Sequence, residues 1–198
     1  MKKSVAVCRF TGEAGSERPA NDRHKLMSAG RHVKGIGFLP VCLALILCAC
    51  TEKDTPVEHY GVSFICPAGW KVSETEDNES YQSITVEKKG IGSSGIAIIT
   101  LFDGELELDE FLQIFKDALE EQEEYSNMEF QDTEDAYGQY EGPSCKYTVL
   151  TMSQPHRGSM HVFNANGRSV HIMQQEAVED SKANLPGFRK LEESFTVD

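Results

Sequence analysis

Two histidines ten residues apart, His161 and His171, flank Asn166-Gly167, a dipeptide that favours a tight hairpin. A three-residue loop, Ala165-Asn166-Gly167 with Gly167 left-handed, would pair Val162 with Val170 and Met160 with Ile172. A two-residue loop would instead set His161 opposite Ile172 and Val162 opposite His171. The first register joins like with like and is the one expected; it brings the two imidazoles face to face. Neutral imidazoles so placed could share a Zn²⁺ ion, with His156 in the preceding loop as a further candidate. A protein zinc site needs three or four ligands, however, and the spacing places no third His, Cys or acid. The plainer alternative is a pair of ordinary polar residues on a sheet face.

Other constellations carry less. Gly90-Ile-Gly-Ser-Ser-Gly95 matches G-x-G-x-x-G, but a dinucleotide site needs a helix to begin there, offering free N–H groups to the pyrophosphate. The next residues are instead the β-run Ile96-Ala-Ile-Ile-Thr100, so the glycines are expected in a hairpin loop. Glu105, Glu107 and Asp109 lack the glycine and terminal glutamate of a calcium loop. No G-x-S-x-G, H-E-x-x-H or P-loop pattern occurs, and no cofactor is implied. Trp70, the single tryptophan, is expected as a core plug beside its turn.

One cysteine carries a sharper expectation. Val41 to Cys50 is an uncharged apolar run with Arg31 and Lys34 before it, ending Leu47-Cys48-Ala49-Cys50. The ending resembles the bacterial lipobox, in which a cysteine after a small residue is lipidated and becomes the mature N-terminus. Gly35 to Cys50 spans 16 residues, short for a membrane-crossing helix but suited to a signal-peptide core. Cys50 is therefore the expected lipidation site, since the bulky Leu47 disfavours Cys48. Residues 1–49 are read as a signal-peptide region. Within it, 1–26 is polar and irregular, consistent with a misassigned start, and 27–49 forms a compact leader from Met27. Residues 50–58 read as a lipidated polar tether and 59–198 as one domain.

Charge reverses at that boundary. Residues 1–50 hold 8 Lys and Arg against 3 Asp and Glu; residues 51–198 hold 11 against 29. So acidic a domain is not expected to bind nucleic acid, which requires clustered cations. Anionic headgroups would repel it, so its membrane attachment must come from the acyl chains. Only Cys66 and Cys145 remain after processing, a candidate disulfide in an oxidising envelope; the alternative is two separate small buried side chains.

The elements behind these residues follow from periodicity. Gly61–Cys66, Gln82–Lys88, Gly95–Phe102 and Ser144–Thr151 read as strands, the third apolar on both faces and so central. Trp70-Lys-Val-Ser73 is expected to pair with Gly61–Cys66 across Pro67-Ala-Gly69. Glu129–Thr133 adds strand signal, and Ser159–Gln174 is the histidine hairpin. Leu108, Phe111, Leu112, Phe115 and Leu119 recur at helical spacing over Leu108–Glu121. A last helix is expected over about Pro186–Ser194, with Pro186 in its first turn. The pattern predicts an α+β fold: a mostly antiparallel sheet covered by two main helices, an α/β/α sandwich.

Two segments carry a family resemblance. Val62-Ser-Phe-Ile-Cys-Pro67-Ala-Gly69-Trp70-Lys-Val72 resembles the opening of the PsbP-like (Mog-type, DcrB-like) superfamily, and Phe188-Arg-Lys-Leu191-Glu-Glu-Ser194-Phe195-Thr-Val197 resembles its close. The resemblance spans roughly residues 59–198. It implies an antiparallel sheet between helices and a role in binding or assembly, with no shared catalytic set. The sequence thus points to a non-enzymatic lipoprotein of the bacterial envelope, facing periplasm or cell surface and binding a protein partner. A metal-binding or metal-buffering module built on His161 and His171 is the alternative, and a hydrolase without a recognisable motif comes last.

Overall fold

Alternation along the chain resolves into two antiparallel sheets and two helices in a computed structural model that describes residues 52–90 and 93–198. The leader, Cys48 and Cys50 lie outside the described residues. The elements run β1 (Thr55–His59), β2 (Val62–Cys66), β3 (Trp70–Asp77), β4 (Gln82–Lys88), β5 (Ile96–Asp103), α1 (Leu108–Glu120) and β6 (Tyr125–Thr133). Then come β7 (Ser144–Thr151), β8 (Gln154–Ala165), β9 (Arg168–Ala177), a 3₁₀ turn (Val178–Asp180), α2 (Ser181–Ser194) and β10 (Thr196–Val197). Seven strands form the main sheet in the order β3-β4-β5-β9-β8-β7-β6; β1, β2 and β10 form a second, small sheet. The fold is α+β, as the periodicity predicts.

The main sheet carries a core on each face. β5 serves both: Ala97, Ile99 and Leu101 pack on one side and Ile98 on the other. The first core joins them to Ile84, Val86, Val170 and Ile172, beneath Phe64 of the small sheet and Phe188 and Leu191 of α2. The second gathers Cys145, Tyr147, Met160, Val162 and Met173 beneath Phe111, Leu112 and Leu119 of α1. The two helices therefore cover opposite faces, and the small sheet shares one face with α2.

Three expectations are overturned by the strand pairing and helix bounds. β3 does not pair with β2. At Pro67–Gly69 the chain passes between sheets, with Trp70 N–H donating to Pro67 O (2.9 Å) and Gly69 at φ +80°, and β3 pairs β4 instead. Residues 55–58, expected as part of a polar tether, belong to the fold, because Thr55–His59 pairs with β2 as an edge strand. α2 begins at Ser181, so Pro186 lies in its second turn rather than its first. Missing its N–H, Pro186 leaves a carbonyl one turn back without a helical donor. In the same turn Lys88 Nζ donates to the neighbouring Ala183 O (3.2 Å) and to Asn184 Oδ1 (2.8 Å).

Gly187, next in α2, has a packing role. A Cβ there would stand 2.5 Å from the Trp70 indole, and one at Gly95 would stand 2.7 Å from it. Trp70 fills this slot, 5% exposed, edge-on to Phe188 with ring centroids 5.1 Å apart. It is the core plug that the sequence implies.

Candidate functional site

The small sheet and α2 cover only part of their face of the main sheet. Beyond α2 the same face of β6, β7, β8 and β9 is uncovered and polar. Two cross-strand rows define its floor, Glu129–Thr148–Arg157–Glu176 and Gln131–Lys146–Ser159–Gln174, because directly paired residues share a face. The sequence dictates this sidedness: in β7, Cys145, Tyr147 and Val149 point to the α1 core, which leaves Lys146 and Thr148 on the other side. α2 forms the wall with Leu185, Phe188, Arg189 and Glu192, a stripe at helical spacing. Floor and wall enclose an open cleft of about 520 Å³.

Glu176 is the unusual group in the cleft. Its side chain is 7% exposed, and its Oε1 accepts a hydrogen bond from Arg157 Nε at 2.9 Å. Its buried Oε2 has no hydrogen-bond partner among the described residues. A buried carboxylate oxygen without a donor is costly, so a site that keeps one gains by receiving an N–H or O–H from outside. Around it Gln174 Nε2 donates to the Tyr137 hydroxyl (3.3 Å), while Arg189 on the wall is exposed to solvent. The surface offers donors and acceptors of both charges. No nucleophile is seen hydrogen-bonded to a base within this cleft among the described residues.

A second groove, about 890 Å³, runs beside α1 past Asp109, Lys116, Asp132, Glu134 and Glu141. Lys116 is already held by Asp132 at 2.7 Å, and the remaining acids are solvated. No group with an unmet hydrogen bond lines it among the described residues.

The histidine pair is separated. The β8–β9 loop has two residues, with Asn166 at φ 51° and Gly167 at φ 76°, the geometry of a type I′ turn. Val162 consequently pairs with His171 and His161 with Ile172, which puts the two imidazoles on opposite faces. They cannot ligate one ion, and no cluster of three or more His, Cys, Asp or Glu with metal-site spacing occurs among the described residues. His171 is buried against α1, stacked on Phe115 with centroids 3.5 Å apart, and neither ring nitrogen has a partner among the described residues. Burial pushes its pKa down to about 3. His161 lies on the other face, half-buried, with Nδ1 3.2 Å from Asp135 O. Desolvation lowers its pKa as well, against the opposing pull of that hydrogen bond. His156 stands in β8, its Nδ1 3.1 Å from Gln154 O.

Cys66 and Cys145 are both free and buried, and they belong to different cores: Cys66 sits under the small sheet and Cys145 under α1. The even count does not translate into a bridge. Burial raises both thiol pKa values, Cys145 to about 11, so neither is a poised nucleophile. Glu105, Glu107 and Asp109 are exposed around the start of α1. Gly90 and Gly95 bracket the β4–β5 loop, and the chain continues into strand rather than helix.

No family model matches the sequence, and no curated protein matches it. Solved structures do. The cyanobacterial PsbP of Synechocystis, CyanoP, aligns over 76% of this chain and 96% of its own at 12% identity and a TM-score of 0.52. The fold is PsbP-like. Two further neighbours are LpqN of Mycobacterium tuberculosis, described as involved in cell envelope biogenesis, and the Ran-binding protein Mog1p of Saccharomyces cerevisiae. LpqN aligns over 73% of this chain and 90% of its own at 12% identity and a TM-score of 0.49. Mog1p aligns over 74% and 96%, again at 12% identity, with a TM-score of 0.46.

Proposed function

We propose that the protein is a non-catalytic binding module of the bacterial envelope, held at a membrane by acyl chains on Cys50, and that the cleft between α2 and β6–β9 receives a protein partner. The observation that carries the binding role is the uncovered polar floor with Glu176 Oε2 buried in it and unpartnered among the described residues. Two adjoining cross-strand rows made entirely of polar and charged side chains are not an unfinished core; they form a surface that stays solvated while keeping its polar groups available. The lipobox-like Leu47-Cys48-Ala49-Cys50 and the charge reversal after it support the anchor.

Both parts are testable in the native host. Intact-mass analysis of protein extracted from envelopes should show Cys50 as a lipidated N-terminus, and Cys50→Ser should release the protein from the membrane fraction. Finding an unmodified Cys50 on a protein that fractionates as before would overturn the anchor. For the cleft, Thr148→Arg with Ser159→Arg should abolish a crosslinked partner adduct in intact envelopes while leaving the melting temperature unchanged. An adduct that persists at wild-type yield would overturn it.

A further inference from the structure

The domain is acidic as a whole, but its charge is unevenly placed. Six of the eleven Lys and Arg after residue 50 gather at one end: Lys53, Lys71, Lys88, Lys89, Lys182 and Lys190. Hydrogen bonds and register tie these positions together. Trp70 pairs with Lys88, and Lys89 N–H donates to Gly69 O at 2.7 Å. Lys88 Nζ reaches Ala183 and Asn184 beside Lys182, and Lys190 Nζ is 2.6 Å from Asp54. Three acids answer them directly: Glu52 to Lys89, Glu87 to Lys71 and Asp54 to Lys190. Glu179, Asp180 and Glu193 are nearby, so six acids stand with the six lysines and this end is neutral overall. The remaining five cations share the rest of the domain with most of its 29 acids.

Two more observations fall on the same end. Ile96 pairs with Gln175, which places the 3₁₀ turn and the start of α2 beside the β4–β5 loop. There Val178 is 45% exposed, one of the five large apolar side chains left in solvent among the described residues. The tether also docks here: Asp54 Oδ1 accepts from Ala68 N–H at 2.9 Å, and Glu52 lies against Gly69 and Lys89. From Asp54 back to Cys50 is four residues, a reach of at most about 14 Å. An acyl chain on Cys50 would therefore keep this end near the bilayer.

We infer that this lysine-rich end is a membrane-contacting surface that seats on anionic phospholipid headgroups. The inference rests on the reading of Cys50 as the anchor. Exposed ion pairs with Glu52, Glu87 and Asp54 are weak and exchangeable, so the lysines trade carboxylates for lipid phosphates at little cost. Their aliphatic stems lie along the interface with Val178. The acidic run Glu120–Glu124 leaves α1 at the same end but beside β6, at the opposite edge of the sheet from β3. Repulsion there tilts the domain so that the β3 edge is lowest. Overall repulsion of an acidic domain and local attraction at its tethered end are thus reconciled by orientation.

The test uses the full lipidated protein in vesicles of phosphatidylcholine containing phosphatidylglycerol, in phosphatidylcholine alone, and in detergent. Modification of each lysine by a membrane-impermeant amine reagent is read by mass spectrometry. Lys53, Lys71, Lys89 and Lys182 should react more slowly by about threefold or more on the anionic vesicles only, with Lys146 unchanged and the protection lost at high salt. Lys71→Glu with Lys182→Glu should remove the protection while the protein still sediments with vesicles. Equal reactivity in all three settings, with sedimentation intact, overturns the orientation and leaves the anchor standing. Failure to sediment, with Cys50 unmodified by intact mass, overturns both.

Discussion

One face of the main sheet is built in two contrasting halves. Over β3, β4 and β5 it is closed. Trp70 sits between the backbones of Gly95 and Gly187 and against Phe188, with Ile84, Val86 and Ile99 beneath. Over β6, β7 and β8 the same face is open, floored by Thr148, Lys146 and Gln131 and walled on one side only. Backbone and strand pairing are alike in both halves, so the side chains alone make one half a core and the other a surface. Stability should therefore reside in the first half and recognition in the second.

The largest effect that would break this contrast comes from Trp70. Trp70→Ala should cost about 3–5 kcal/mol in denaturant unfolding, whereas Thr148→Ala should stay within about 0.5 kcal/mol of wild type. Comparable losses at the two sites would mean that the open half is not free of structural duty. Next comes the opposite face, where His171 is buried beneath α1 and held neutral. Its folded pKa, about 3, lies below the ordinary 6.5. The unfolded chain therefore takes up a proton first as pH falls, and stability is full above about pH 6.5 and declines towards pH 3. The slope from this group is about 1.4 kcal/mol per pH unit. His161 shifts in the same direction and adds to it. His171→Leu should flatten the slope between pH 6 and pH 4 in urea titrations, to the residue left by His161; an unchanged profile would show that burial does not hold the imidazole neutral.

Gly187→Ala is next in size. It drives a methyl into the Trp70 indole and should cost about 1–3 kcal/mol, with a shifted tryptophan fluorescence maximum as the local signature. Smallest is a stabilising change on the open half. The β7–β8 turn sets Met152 and Ser153 at φ 51° and 66°, a two-residue turn in which neither residue is Gly or Asn, and Met152 is 86% exposed. Replacing the pair with Asn-Gly should raise stability by about 1 kcal/mol in thermal unfolding without affecting partner crosslinking. Lost crosslinking in that variant would extend the recognition surface to the turn.

The two halves also differ in how far the sequence announces them. β4, β7 and the start of α1 are legible because alternation or helical spacing is strong and local: Ser144–Thr151 and Gln82–Lys88 appear with the bounds that the pattern predicts. β1 is not, since five mostly exposed residues with one Pro and one central Val57 look like tether until β2 pairs with them. Nor is the passage at Pro67–Gly69. A tight turn between apolar runs fits a hairpin or a change of sheet equally well, and the choice is made by β10, more than a hundred residues away, docking on β2. The histidine register differs from expectation for a related reason. Like-with-like pairing favours Val162 opposite Val170, but Val162 finds its apolar neighbours in the α1 core and not across the strand, which frees the Asn166-Gly167 turn to set the register. Of the cleft, only the polar side of β7 is readable from the chain. Glu176 looks like one more acid among many until its burial is known.

Whether the open half is kept open for a partner can be decided in intact cells. A photo-crosslinking residue is placed at Thr148, on the floor, and separately at Glu110, on the exposed side of α1. A recognition surface over β6–β9 gives one discrete adduct from Thr148, absent from Glu110 and abolished by Ser159→Arg. The same adduct from both positions, or none from Thr148 in cells where the protein is folded and membrane-bound, would contradict it.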